Sequence, residues 1–247
     1  MIQFKNIAKA FGAKPVLDGV SFDVKKGEVF FIIGASGVGK SVLIKHLIGL
    51  LYPDEGEIWL DGVEISQLDE KGMYPVRKKC AMVFQHSTLF DSMTCAENVA
   101  LPLRKHKGMS MKGALEEAER RLSIVHMKEF AGRYPAELGD GMRKRVAIAR
   151  ALTLDPEYVL FDEPTTSLDP VSARRVDRLI RELSDELGVT SIVVSHDLAS
   201  IFAIADRIVM LYKGRVRLIG TITDFKNSPD GVVQQFINGR ATGPMEL

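Results

Sequence analysis

The sequence predicts an α/β fold, a parallel sheet with crossover helices and a helical insertion. Three observations carry this. Short apolar runs such as Val29 to Ile33 and Tyr158 to Phe161 suit strands buried on both faces. Stretches with helical spacing alternate with these runs, the strand–helix–strand rhythm of a parallel sheet. A middle segment breaks the rhythm and reads as helix alone. The 247 residues allow one large α/β domain or two small ones, since a domain usually holds about 100–200 residues. That length leaves ample chain for a core.

Taken in order, Ile2, Phe4 and Ile7 lie near a two-residue alternation, and Val20, Phe22 and Val24 alternate cleanly. Lys25-Lys26-Gly27 makes a turn before the buried run from Glu28 to Ile33. A Gly-rich stretch follows, and then Leu43, Leu47 and Leu50 recur at helical spacing. Pro53, Asp54 and Gly56 turn the chain into a short strand from Glu57 toward Gly62. From about Ser110 to Met127, Leu115, Ala118, Leu122 and Val125 form one face of an amphipathic helix, with charge on the others. A second helix runs from about Gly141 to Leu154 through Val146, Ile148, Ala149 and Leu152. Tyr158 to Phe161 is a strand; Val176, Leu179, Ile180, Leu183 and Leu187 mark a helix; Thr190 to Ser195 is a strand. A short helix around Ile201 and Ala205 precedes a strand from Arg207 to Tyr212. After Asp230 the pattern is weak, and a peripheral tail is expected. There is no internal repeat and no low-complexity segment.

Composition excludes several classes. At 46% hydrophobic and 26% charged the chain is globular, not disordered, collagenous or coiled coil throughout. Lys+Arg is 33 against Asp+Glu 32, so the basic excess of a nucleic-acid binder is missing and no nucleic-acid partner is expected. Cys80 and Cys95 form neither a CxxC pair nor a metal spacing and read as reduced thiols of a cytosolic protein. No apolar run approaches the ~20 residues that span a bilayer, and the first residues carry no secretory leader. A soluble protein is expected, held at a membrane only by another chain.

The chemistry begins at Gly34-Ala35-Ser36-Gly37-Val38-Gly39-Lys40-Ser41, which fits G-x-x-x-x-G-K-[ST] after a buried strand and before a helix. Glycines at Gly34, Gly37 and Gly39 let the backbone turn tightly and aim successive N–H groups at one place. The helix N-terminus adds partial positive charge. Lys40 can reach the β- and γ-phosphates of a nucleotide, and the Ser41 hydroxyl can ligate Mg²⁺. Such a loop needs an acid for its magnesium at the end of a neighbouring strand. Asp162 supplies it, and the adjacent Glu163 can polarise an attacking water as general base.

The order of motifs over residues 1–225 resembles the ATP-binding cassette (ABC) ATPases. The resemblance implies a P-loop NTPase (RecA-like) parallel-sheet core with an antiparallel β edge and an inserted α-helical subdomain. It places the core at about 1–85 and 157–225, the helical subdomain at about 86–156, and a C-terminal tail at 226–247. It implies that Phe11 stacks on adenine and that Gln85, in Val83-Phe84-Gln85, senses Mg²⁺ and water. Asp169 resembles the acid of the D-loop, and is equally a helix N-cap before Pro170. His196 resembles the switch histidine that contacts the γ-phosphate. ATP and Mg²⁺ are the implied ligands.

One segment departs from the family. The signature Leu-Ser-Gly-Gly-Gln is replaced by Leu138-Gly139-Asp140-Gly141-Met142, while the following Arg143 to Leu152 fits well. Gly139 stands where a serine hydroxyl would meet the γ-phosphate on the other subunit, and Asp140 brings a carboxylate where backbone must come close. The expectation is normal ATP binding but poor closure of the dimer, with a weakly hydrolysing regulatory subunit, or an importer of another small substrate, as the alternatives. Met142 and the stretch Phe84 to Asp91 resemble the ATPases of Mla/MCE-type phospholipid transport systems. That resemblance implies a homodimer at the cytoplasmic face of the bacterial inner membrane, driving a separate integral membrane permease beside an MCE-type lipid-binding protein. The segment Phe90, Met93 and Val99, with Leu101 and Leu103, is expected to line the groove for the permease, or else to be subdomain core.

Overall fold

The computed structural model describes residues 1–246. The chain opens with β1 (Ile2–Phe11), β2 (Lys14–Val24) and β3 (Val29–Ile33), followed by α1 (Lys40–Leu47), β4 (Glu55–Leu60) and β5 (Val63–Glu64). Helix α2 (Glu70–Lys79) leads into β6 (Cys80–Val83). The helical middle holds α3 (Cys95–Lys107), α4 (Met111–Ile124) and α5 (Asp140–Ala151), with single 3₁₀ turns between and after them. Then follow β7 (Tyr158–Asp162), α6 (Pro170–Leu187), β8 (Thr190–Val194), α7 (Leu198–Ile204), β9 (Arg207–Tyr212), β10 (Arg215–Gly220), α8 (Ile222–Lys226) and α9 (Gly231–Ile237).

Two sheets result. The first is antiparallel, in the order β2-β1-β4-β5. The second runs β10-β9-β3-β8-β7-β6, parallel from β9 to β6, with β10 antiparallel at its edge. The central strands are apolar on both faces because both faces are covered. Alternate residues feed two separate cores. Phe31, Phe161 and Val193 face a core shared with α3 to α7, whereas Phe30, Leu160 and Ile192 face one shared with α1, α2 and the antiparallel sheet. Burying one such side chain is worth about 1.5–3 kcal/mol, so the alternation holds the strand register from both sides.

The structure corrects two expectations. Helix α1 ends at Leu47, because Gly49 takes a left-handed φ of 65° and turns the chain out; Leu50 is therefore exposed. The helix expected from Val176 to Leu187 is present as α6; Leu187, its last residue, is exposed beyond the buried stripe of Val176, Leu179, Ile180 and Leu183. The end of the chain is not peripheral: Phe225, Val232, Val233 and Ile237 are buried in the larger core. Helix α8 straddles residue 225, so the chain continues through that point without a break in structure. Cys80 and Cys95 are free and buried, and burial pushes the Cys80 thiol up to about 12. Among the described residues no helix is long and apolar enough to cross a membrane.

Candidate active site

The loop from Gly34 to Gly39 joins the buried end of β3 to α1. Two glycines there have no substitute. A Cβ on Gly34 would meet the Leu211 carbonyl oxygen at 2.4 Å, and Gly39, at φ 106°, would meet Leu17 at 2.6 Å. Lys40 is buried, and its Nζ donates to the carbonyls of Gly34 (2.9 Å) and Ala35 (3.0 Å). Burial pushes its ammonium down, while the Glu163 and Asp162 carboxylates pull it back up. The Ser41 hydroxyl donates to Asp162 Oδ1 at 2.6 Å, which joins the first turn of α1 to the end of β7.

Glu163 follows β7 with a left-handed φ of 52°. Two groups meet one of its oxygens. His196 Nδ1 lies 2.8 Å from Oε2, and the Thr166 hydroxyl donates to the same oxygen at 2.9 Å. Phe11, at the end of β1, is exposed. Phe11, Gln85, Glu163 and His196 share one cavity of about 420 Å³ with Ser36, Gly37, Gly39, Lys40 and Ser41. Residues scattered over nearly two hundred positions therefore converge, because β3, β7 and β8 end side by side in the sheet.

Gly139, Asp140, Gly141 and Asp169 lie elsewhere. With Ser167 they line a second concavity of about 350 Å³ between α5 and α6. Gly139 has open space where a Cβ would stand, but Gly141 would put one 2.9 Å from Ser172. Asp169 caps α6, its Oδ1 accepting from the N–H groups of Val171 and Ser172 at 3.0 Å. The like-charge expectation for Asp140 meets a partner in the structure: its carboxylate pairs with Arg143, one turn along α5.

The helix ends test whether these surfaces suit phosphate. Asp69, Thr94, Ser110, Asp169, Asp197, Thr221 and Asp230 each cap a helix through a side-chain oxygen. Among the described α-helices, α1 and α5 alone lack one, starting after Gly39 and Gly139. Their first N–H groups are left without a side-chain acceptor, which suits an anion at each. The donor set beside α1, the Ser41 hydroxyl, the Asp162 carboxylate and the Gln85 side-chain carbonyl, likewise fits a hard divalent cation. Among the described residues no cluster of three or more His, Cys, Asp or Glu side chains could hold a metal alone.

Two groups escaped the sequence reading. Lys144 is 2% exposed, and its Nζ donates to the carbonyls of Phe84 (3.1 Å) and Gln85 (2.7 Å); burial pushes it down to about 8. Arg150 donates to the carbonyls of Ser87 (3.4 Å) and Thr88 (3.0 Å). These two cations of α5 thus hold the loop around Gln85 by its backbone. Lys144 stands three and four residues before the buried Ala147 and Ile148, so helical spacing alone places it on the inner stripe. Near Gln85, the expected docking residues divide. Val99 and Leu103 are core, Phe90 is exposed, and Met93 and Leu101 line a groove of about 280 Å³ with Glu97, Arg104 and Met111.

The family model for the ABC transporter matches residues 17–166. The chain belongs to the ABC transporter ATPases. This ABC ATPase is 38% identical over 247 residues to the intermembrane phospholipid transport system ATP-binding protein MlaF of Haemophilus influenzae, covering 100% of the chain and 94% of the relative. It is 39% identical over 242 residues to the methionine import ATP-binding protein MetN of Carboxydothermus hydrogenoformans, covering 96% and 72%. A solved dimeric ATP-binding cassette in a post-hydrolysis state, bound to ADP and Pi, superposes with a TM-score of 0.81 at 34% identity. That match covers 90% of this chain and 99% of the other. The ABC ATPase is thus an ATP-hydrolysing transporter subunit, a dimerising cassette that works with a membrane permease.

Proposed function

We propose that this ABC ATPase powers phospholipid transport between bacterial membranes, from the cytoplasmic face of the inner membrane, beside a permease and an MCE-type lipid-binding protein. The end-to-end similarity to MlaF supports this, together with Met142 in the signature. A second reading, methionine import, is favoured by the equal identity to MetN. The deciding experiment isolates the complex from its native membranes and measures its ATPase rate. Stimulation by phospholipid vesicles and none by methionine is expected; the reverse overturns the lipid reading.

Within the site, the observation that carries the mechanism is the pair of contacts on Glu163 Oε2. With His196 and Thr166 both on that oxygen, Oε1 stays free to accept a proton from the attacking water. With His196 Nδ1 facing Glu163, its Nε2 is the nitrogen left for the γ-phosphate. Lys40 turns from its two carbonyls to the β- and γ-phosphates, and Phe11 stacks on adenine. Ser41, Asp162 and Gln85 would hold Mg²⁺, which when bound offsets charge on the phosphates. Gly139 to Gly141 and Asp169 line no part of this cavity. They serve the partner's nucleotide in a two-fold dimer, where each copy completes the other's site.

A further inference from the structure

The Gly139-Asp140 variant of the signature puts an acid at the first position of α5, whose N-terminal amides are uncapped. A carboxylate bent over those amides would fill them and would repel an incoming phosphate. The structure shows another arrangement. Asp140 lies on the ridge between two concavities, one shared with Gly139 and Asp169, the other with Gln85 and Thr166. Arg143 lines only the concavity on the Gln85 side, and its guanidinium bonds Asp140 Oδ1 while also donating to the Leu138 carbonyl at 3.1 Å. Lys144, fastened to the Phe84 and Gln85 carbonyls, lies on that side too. Arg143, which holds the carboxylate, and Lys144 thus stand on the Gln85 side of Asp140. The other concavity is lined by Arg145, which donates to the Val125 and His126 carbonyls at 3.3 and 3.2 Å, and by Arg175, neither of them bonded to Asp140.

Building on the dimer reading above, we infer that Arg143 is a positioning residue of the trans site. It holds the Asp140 carboxylate off the N-terminus of α5, so that the open amides still receive the γ-phosphate of the partner's ATP. Asp140 and Arg143 work as a unit that replaces the small residues of the common signature. On its own an exposed pair one turn apart on a helix is worth little. Its consequence arises only when a second, phosphate-bearing surface closes over it.

The test is a double-mutant cycle in the Glu163→Gln chain, reading the dimer dissociation constant with Mg-ATP by analytical ultracentrifugation. Arg143→Met is expected to weaken dimerisation tenfold or more while monomer affinity for ATP stays within twofold. Asp140→Gly completes the cycle, and Asp140→Gly with Arg143→Met should dimerise at least fivefold more tightly than Arg143→Met alone. Arg143→Gln, which keeps a donor without the charge, should fall between. Dimerisation unaffected by Arg143→Met, or a double variant as weak as Arg143→Met, overturns the inference. A Glu163→Gln parent that stays monomeric with ATP overturns the sandwich-dimer reading, and the role of Arg143 with it.

Discussion

Among the described residues, Lys40 is the only lysine or arginine lining the cavity it shares with Phe11 and Glu163. Its removal should abolish nucleotide binding or nearly so, since no other lysine or arginine among them lines that cavity. Titration of Lys40→Ala with a fluorescent ATP analogue checks this; unchanged affinity would contradict the assignment of the loop. Glu163→Gln keeps the shape of the base and loses its basicity, and general-base loss typically costs about 10²–10⁴-fold in rate. Steady-state ATPase of the complex should drop by that much while ATP remains bound. These residues were legible because their chemistry dictates a local pattern, as in the glycines before Lys40 and the paired acids after a buried strand. The Thr166 contact to Glu163 was not legible, since a threonine in a loop carries no signal until the chain folds back on itself.

At the scale of the element, α5 joins the two functional surfaces. Its start lines the concavity of Gly139 and Asp169, and its buried Lys144 fastens the loop of Gln85. Lys144→Met removes the donor from two carbonyls, and hydrogen bonds to a charged group are worth about 1.5–3 kcal/mol. For a chain of this size that is on the order of 3–12 °C in melting temperature, at about 2–4 °C per kcal/mol. The variant should also lose turnover at unchanged ATP affinity, measured by calorimetry and rate together. The groove of Met93 and Leu101 lies on the segment that follows that loop in sequence, so Leu101→Asp should weaken assembly with the permease by at least tenfold in a pull-down, with ATP binding intact. Strands and amphipathic helices were readable from period alone. The split between groove and core in α3 was not, because Val99, Leu101 and Leu103 look alike until α4 and α5 cover one side of the helix.

Across the whole molecule, two cores share one sheet, and the chain's last helices seal the larger of them. The sequence pattern after Asp230 is weak because α9 is short and buries Val232, Val233 and Ile237 among polar neighbours. A chain ending at residue 225 should therefore expose that core and melt well below the full chain, a fall that differential scanning calorimetry would register. The smaller core contains an acid-sensitive group. His46, on α1, is 3% exposed, and burial with the Lys9 charge pushes its imidazole down to about 4 from 6.5. The unfolded chain then takes up a proton before the folded one, so stability falls as pH drops from about 6.5 to about 4. At about 1.4 kcal/mol per pH unit the loss is on the order of 3 kcal/mol. Urea denaturation at pH 7 and pH 4.5 should show this, and His46→Leu should flatten the difference.

Glu163 has one further consequence. Its backbone sits at φ 52°, where an L side chain costs about 1–2 kcal/mol and glycine costs nothing. Almost anywhere else on a folded chain, exchanging alanine for glycine loosens the protein. Here the sign reverses: Glu163→Gly should melt higher than Glu163→Ala, although both should lose the same share of turnover. The position therefore sets durability against turnover. A lineage that no longer needed to burn ATP would be free to drift toward glycine there, so glycine at this position in a related cassette would mark one that had given up catalysis.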